Sequence, residues 1–542
     1  MKFKKLCALF MAAAMTMSMA GGLVQASETE TAAETTVTEA AAEETAATEA
    51  AAEETAETTG VPKYIFLFIG DGMSYPQVQA TNYYLSANAQ ESEDILTSKN
   101  NLTMMNFPVA GSAQTYDSTS FCPDSASTAT SISTGHKTYS GTINMDETMT
   151  TAYETIAEKL KDQLGYKVGI LTSVNLNHAT PAAFYAHQAS RNSYYEIGLE
   201  MVESGFDYFA GGALLQPTGA EEDQQDLYEV AAEAGYTVVK TQAEAEALTA
   251  EDGKVVVIDE NLADSDAMSY DMDLEEGQWA LADYVDKGIE MLSADNEEGF
   301  FMMVEGGKID WACHANDAGS TITDTIALDN AVEKAVEFYN EHPDETLILV
   351  TGDHETGGLS IGFAGTDYDT FLTNLNNQKI SYAKFDSDYV AGYKENGTDF
   401  ETVMADVTEL FGLTAPAADA EEQTAEMDSA DDHKETDASG TLEMTQYEYE
   451  KLQAAYEETM ARVNEEESEV SQEEYLLYGS YEPLTVTITH ILNNKSGIDF
   501  SSYAHTGLPV EVFAMGVGQD EFGGYYDNTD IYNKMAALTG VE

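Results

Sequence analysis

Four stretches of this chain are apolar on both strand faces: "YIFLFIG" from Tyr64, "VGILTS" from Val168, "FFMMVEG" from Phe300 and "LILVTGDH" from Leu347. A strand with one wet face alternates apolar and polar residues. An unbroken apolar run must be covered on both sides, as in the centre of a parallel sheet between two helical layers. Amphipathic segments such as "AYETIAEKLKDQL" and "DNAVEKAVEFYNEH" separate or flank these runs, and "LPVEVFAMGVG" reads as one more strand near the end. The expected fold class is therefore α/β: a central, mostly parallel sheet flanked by helices on both faces, a three-layer sandwich with insertions.

Three of the runs end in acidic residues. The first leads to Asp71, the third to Glu305, and the fourth to Asp353 with His354 beside it. A single Asp-Gly after a strand is usually just a turn. Three acidic strand ends in one chain point to a ligand site, because open α/β sheets bind ligands outside the carboxyl ends of their strands. Downstream of Glu305, Asp310 and His314 are four residues apart, and one helical turn brings them to the same face. Carboxylate and imidazole donors of this kind suit zinc. His178, Thr180 and Arg191 in "NHATPAAFYAHQASR", and His505 ahead of the last run, add further polar side chains.

"CPDSASTATSISTGHKT" carries eight hydroxyls in seventeen residues, starting at Cys122. It reads either as the source of a nucleophile or as a small-residue helix that packs closely on the sheet. Asp124 and Ser125 would stand at the entrance of that helix, where the dipole favours an anion.

The formal net charge of -75 excludes nonspecific nucleic-acid binding and makes anionic membranes poor partners, while divalent cations suit it. The N-terminus has the pattern of an export signal, residues 1–26, with Lys2, Lys4 and Lys5 ahead of an apolar stretch and "VQA" before Ser27. Cleavage there leaves two cysteines, Cys122 and Cys313, too few for a disulfide scaffold. The expected location is outside the cytoplasm: extracellular, cell-wall associated or periplasmic. Residues 27–60 form an acidic Glu/Thr/Ala tether in which "TEAAAEETA" occurs twice. The catalytic domain is expected over 61–542. It contains an acidic insertion at about 415–440 and a helical segment at about 445–470, where Tyr449, Leu452, Tyr456, Met460 and Val463 follow helical spacing.

Seven ordered motifs resemble the alkaline phosphatase family: "IGDGMS", "PDSASTATSISTGHKT", "HATPAAFYAHQASR", "VEGGKIDWACHA", "VTGDHETGG", "AHTGLPVEVFAMG" and "DEFGGYYDNTDI". The resemblance implies hydrolysis of phosphate monoesters through a phosphoserine on Ser125. It implies one Zn2+ on Asp310, His314 and His505, a second on Asp71, Asp353, His354 and Ser125, and a third ion, Mg2+, on Asp71, Thr180 and Glu305. Arg191 matches the phosphate-binding arginine, oriented by Asp124. His178 and Trp311 stand where other members carry different residues, and both border the third site. The substrates implied are small phosphate monoesters, and a homodimer is the assembly common in the family. A phosphate-scavenging role follows from class and compartment. Two other readings stay open: a phosphodiesterase of the same superfamily, and a non-catalytic cation-binding surface protein. Whether Cys122 and Cys313 pair also stays open.

Overall fold

A computed structural model describes residues 60–89, 97–417, 440–462 and 470–542. The signal, nearly all of the tether, most of the acidic insertion and Val463 lie outside the described residues.

The ten strands of the main sheet, in chain order, are β1 (Tyr64–Gly70), β2 (Val109–Gln114), β3 (Lys167–Asn175), β4 (Tyr208–Gly212), β5 (Thr237–Val239), β6 (Val255–Ile258), β7 (Phe300–Gly306), β8 (Thr346–Gly352), β9 (Val510–Gly516) and β10 (Gly524–Asp527). Their spatial order is β10-β2-β9-β8-β1-β7-β3-β4-β6-β5. All neighbours run parallel except β9, which is antiparallel to both β8 and β2. The four doubly apolar runs become adjacent central strands, β8-β1-β7-β3. Every residue of β1, β7 and β8 is buried. The short β10 at the sheet edge is half exposed and has no apolar run to announce it.

β1 leads into helix α1 (Tyr75–Asn88), and alternate residues of β1 serve the two helical layers. Ile65, Leu67 and Ile69 join one core with Ala126, Ala129 and Ile132 of helix α2 (Ser125–Thr134). Tyr64, Phe66 and Phe68 join the opposite core with Leu328, Ala331, Val332 and Ala335 of helix α4 (Ala318–Glu341). All ten residues of α2 are buried, which the Ala, Ser and Thr side chains permit by letting the helix lie close to the sheet. Asp124 caps its start, and Gly135 ends it in the left-handed conformation at φ 74°.

A third core contains Leu452 of helix α5 (Gln446–Ala461) and Leu484, Ile488 and Leu492 of helix α6 (Pro483–Ser496). Tyr449, Tyr456 and Met460 pack against it, so the helical spacing marks a buried stripe there. Among the described residues, no helix is long and apolar enough to cross a membrane.

Candidate functional site

The register explains why the acidic strand ends meet. Ile69 pairs with Glu305 on one side and with Thr351 on the other, so Asp71, Glu305 and Asp353 come from three adjacent strands at one end of the sheet. Asp310 and His314 belong to helix α3 (Lys308–His314), which begins two residues after β7. His505 lies on a two-residue strand paired to Glu355–Thr356, just beyond Asp353 and His354. Gly72 lets these pieces close up. Its φ is +73°, and a Cβ there would lie 2.8 Å from Asp310 Cα, so a larger residue is excluded by conformation and by space.

Ser125 is the first residue of α2 and is 2% exposed. Its Oγ lies 3.4 Å from Asp71 Oδ1 and 3.1 Å from His354 Nε2. His354 Nε2 is also 3.2 Å from Asp71 Oδ1 and 3.4 Å from Asp353 Oδ2. On the other side, Asp310 Oδ2 is 3.4 Å from His314 Nε2, and His314 Nε2 is 3.1 Å from His505 Nε2. The His354 and His505 rings stack at 3.7 Å. Backbone carbonyls orient two imidazoles: Tyr503 O is 2.7 Å from His314 Nδ1, and Pro123 O is 2.5 Å from His505 Nδ1.

Two overlapping sets of ligand atoms each lie within 4.8 Å of one another: Asp71, Asp353 and His354, and Asp310, His354 and His505. His354 is within reach of both sets, and His314 reaches the second through its contacts with His505 and Asp310. Thr180 Oγ1 donates to Asp71 Oδ2 at 3.2 Å, and Glu305 is fully buried on the same side. Arg191 Nη1 pairs with Asp124 Oδ2 at 2.9 Å, while Arg191 Nη2 is 3.4 Å from His178 Nε2. Trp311 meets His178 nearly edge to face at 5.9 Å.

This concentration of carboxylates is electrostatically costly without cations. Burial, with Asp353, Asp310 and Glu305 adding to it, holds Asp71 well above the usual carboxylate range against the pull of Arg191. Burial and Asp310 lift Asp353 to about 7. Burial lifts Glu305 to about 8, with the Thr172 hydrogen bond opposing and Asp353 adding. Burial pushes up Asp310 too, but the imidazoles of His314, His505 and His354 outweigh it and hold that carboxyl well below the usual range. Burial disfavours the charged form of His314, yet Asp310 raises it to about 9. Burial drives His354 and His505 down to about 4, leaving neutral nitrogens free to ligate. Glu305 Oε1 is buried without a protein hydrogen-bond partner among the described residues. Crowded carboxylates, neutral imidazoles and an unsatisfied carboxylate oxygen make a donor set that fits divalent cations.

Several supporting residues escaped sequence reasoning. Thr128 Oγ1 donates to Asp353 Oδ2 at 3.0 Å, Thr356 Oγ1 donates to Asp310 Oδ1, and Thr172 Oγ1 donates to Glu305 Oε2. Thr128 is three residues beyond Ser125 on one helix face, the only local signal among the three. Cys122 and Cys313 are both free thiols, which answers the question of their pairing in the negative. Cys122 is exposed, whereas Cys313 is buried on α3 beside Thr321 Oγ1 at 3.5 Å and Gln77 Nε2 at 3.8 Å.

The family model described as alkaline phosphatase matches residues 62–207 and 204–541. "Alkaline phosphatase 4" of Bacillus subtilis (strain 168) is 26% identical over 478 residues, covering 86% of this chain and 87% of that protein. The crystal structure of a cold-active alkaline phosphatase from a psychrophilic Shewanella species is 26% identical. It covers 88% of this chain and 99% of that one, with a TM-score of 0.67. A mutant TAB5 alkaline phosphatase with Mg bound in its M3 site is 25% identical, covering 89% and 99% of the two chains, with a TM-score of 0.57.

Proposed function

Because this chain belongs to the alkaline phosphatase family, we propose that it hydrolyses phosphate monoesters by phosphoryl transfer to Ser125. One observation carries the reading: Ser125 Oγ converges with Asp71 and His354 at the start of a buried helix, beside the Arg191–Asp124 ion pair.

The planar fork of Arg191 suits two nonbridging oxygens of a phosphoryl group, and Asp124 holds one of its nitrogens in place. Asp124 also accepts from the Ser127 amide at 3.1 Å, so the residue that caps α2 also aims the guanidinium. The phosphoryl group then sits against the positive end of the helix. Attack by Ser125 Oγ forms a P–O bond and breaks the bond to the alcohol. Water next attacks the seryl phosphate, releasing inorganic phosphate and restoring the serine. Divalent ions held by Asp71, Asp353, His354, Asp310, His314 and His505 would lower the pKa of the serine hydroxyl and neutralise charge on the attacking and departing oxygens.

The ions we propose are two Zn2+ and, on Asp71, Thr180 and Glu305, one Mg2+. Magnesium is reported in the M3 site of a TAB5 mutant in which a histidine is replaced by aspartate, which supports a divalent-ion site there and leaves its preference in this chain, with His178 beside it, to the metal add-back below. We further propose that the N-terminal segment directs export, that the enzyme recovers phosphate outside the cytoplasm, and that it works as a homodimer. Turnover of p-nitrophenyl phosphate against bis-p-nitrophenyl phosphate, before and after chelation and with zinc and magnesium added back separately, tests the reaction. Monoester activity lost on chelation and restored by the metals is expected. Preference for the diester, or activity indifferent to chelation, contradicts the reading.

A further inference from the structure

Lys308 opens helix α3, two residues before Asp310, and its side chain is completely buried. Its Nζ has no hydrogen-bond partner among the described residues. Its contacts are instead the ring of Tyr270 at 4.0 Å, the ring of Trp311 at 4.5 Å and Asp264 Oδ2 at 3.7 Å. Burying an ammonium costs several kcal/mol, and an aliphatic side chain would fill the same space at less cost. The rings supply a quadrupolar attraction that strengthens when desolvated.

From Trp311 the contacts continue toward the reaction centre. Trp311 meets the His178 ring nearly edge to face, and His178 Nε2 lies 3.4 Å from Arg191 Nη2. An imidazole's orientation is normally fixed by a hydrogen bond at its second nitrogen. His178 Nδ1 is buried and finds no protein partner among the described residues. The edge of Trp311 packed against the ring is the contact then available to orient it. We propose that Lys308 is a positioning residue for Arg191, acting through Trp311 and His178. It clamps the indole, the indole fixes the imidazole, and the imidazole fixes the Nη2 arm while Asp124 fixes Nη1. The inference rests on the reading above, in which Arg191 binds phosphate.

Lys308 also lies near Asp264, Asp324 and Asp273, so a role confined to offsetting those carboxylates is the competing explanation. The test measures the inhibition constant of inorganic phosphate, together with kcat and KM on p-nitrophenyl phosphate, for metal-saturated enzyme. The variants are Lys308→Met, Lys308→Arg and Trp311→Phe, each with Arg191 present and in an Arg191→Ala background. Lys308→Met should raise the phosphate inhibition constant and KM roughly 5- to 20-fold with kcat within about threefold, and Lys308→Arg should recover most of the loss. Trp311→Phe should move the same two quantities in the same direction. In the Arg191→Ala background these effects should shrink to below about twofold, because the relay has lost its end point.

Unchanged phosphate inhibition in Lys308→Met and Trp311→Phe, or equal losses in both backgrounds, overturns the relay. If Lys308→Met does not accumulate as folded protein, Trp311→Phe carries the same comparison. Arg191→Ala by itself separates the two levels. If it leaves phosphate inhibition unchanged, the phosphate-binding reading of Arg191 falls and takes the relay with it. If it weakens inhibition while Lys308 and Trp311 do not matter, only the relay falls.

Discussion

Ser125 and Ser131 lie on the same helix and are both buried, yet their hydroxyls face different tasks. Ser131 Oγ donates to Ser127 O one turn back at 3.0 Å, an interaction internal to the helix. Ser131→Ala should leave kcat/KM within about twofold of the parent in a steady-state assay. The carboxylates and imidazoles make a second residue-level prediction, for metal-free protein. Glu305 and Asp353 are raised to about 8 and about 7, and His314 to about 9. Between pH 6.5 and 8 the folded chain therefore holds protons at these groups that the unfolded chain has released, and stability falls as pH rises. His354 and His505, lowered to about 4, contribute in the opposite sense mainly below about pH 6.5, the unperturbed histidine value, and only weakly above it. Chelated protein should thus show a lower Tm at pH 8 than at pH 6.5, and added metal should stabilise it most at pH 8. A Tm that rises over that interval without metal contradicts this assignment. The i, i+4 spacing of Asp310 and His314 was legible in the sequence because one helical turn enforces it. Thr356 beside Asp310 was not, since 46 residues separate them and only the folded loops bring them together.

At the level of elements, the four doubly apolar runs revealed the centre of the sheet, because only strands covered on both faces can be so uniformly apolar. Their spatial order stayed hidden, since it depends on which helical crossovers pass over which face. The antiparallel direction of β9 and the existence of β10 were equally unreadable: β9 has the same apolar character as its parallel neighbours, and β10 is four half-exposed residues. Helix α5 was readable at its start. Thr445 caps it, and Glu448 accepts from the Thr445 amide at 2.7 Å, completing a reciprocal box. Its buried face joins a core that contains none of the candidate site residues. Thr445→Ala should therefore cost about 1 kcal/mol of stability, seen as a lower Tm, with kcat/KM unchanged. A large loss of turnover would mean that the third core is coupled to the reaction centre.

The whole molecule carries a formal charge of -75 and is proposed to attract a phosphate anion. The local field reconciles these facts: bound divalent ions and Arg191 make a positive pocket within an acidic body. At distance the acidic body still repels. Raising the salt from 0.01 to 0.1 M shortens the screening length from about 30 to about 10 Å, so kcat/KM of the metal-saturated enzyme should rise over that range. A steady fall would show that the pocket's field dominates even at long range. Whether phosphoryl transfer passes through Ser125 is decided by acid-quenching the metal-loaded enzyme during turnover and locating phosphoryl groups by peptide mass spectrometry. One phosphoryl group is expected on the peptide containing Ser125, absent together with turnover in Ser125→Ala. Sustained monoester hydrolysis by Ser125→Ala, or a phosphoryl group trapped on another residue, would contradict that route.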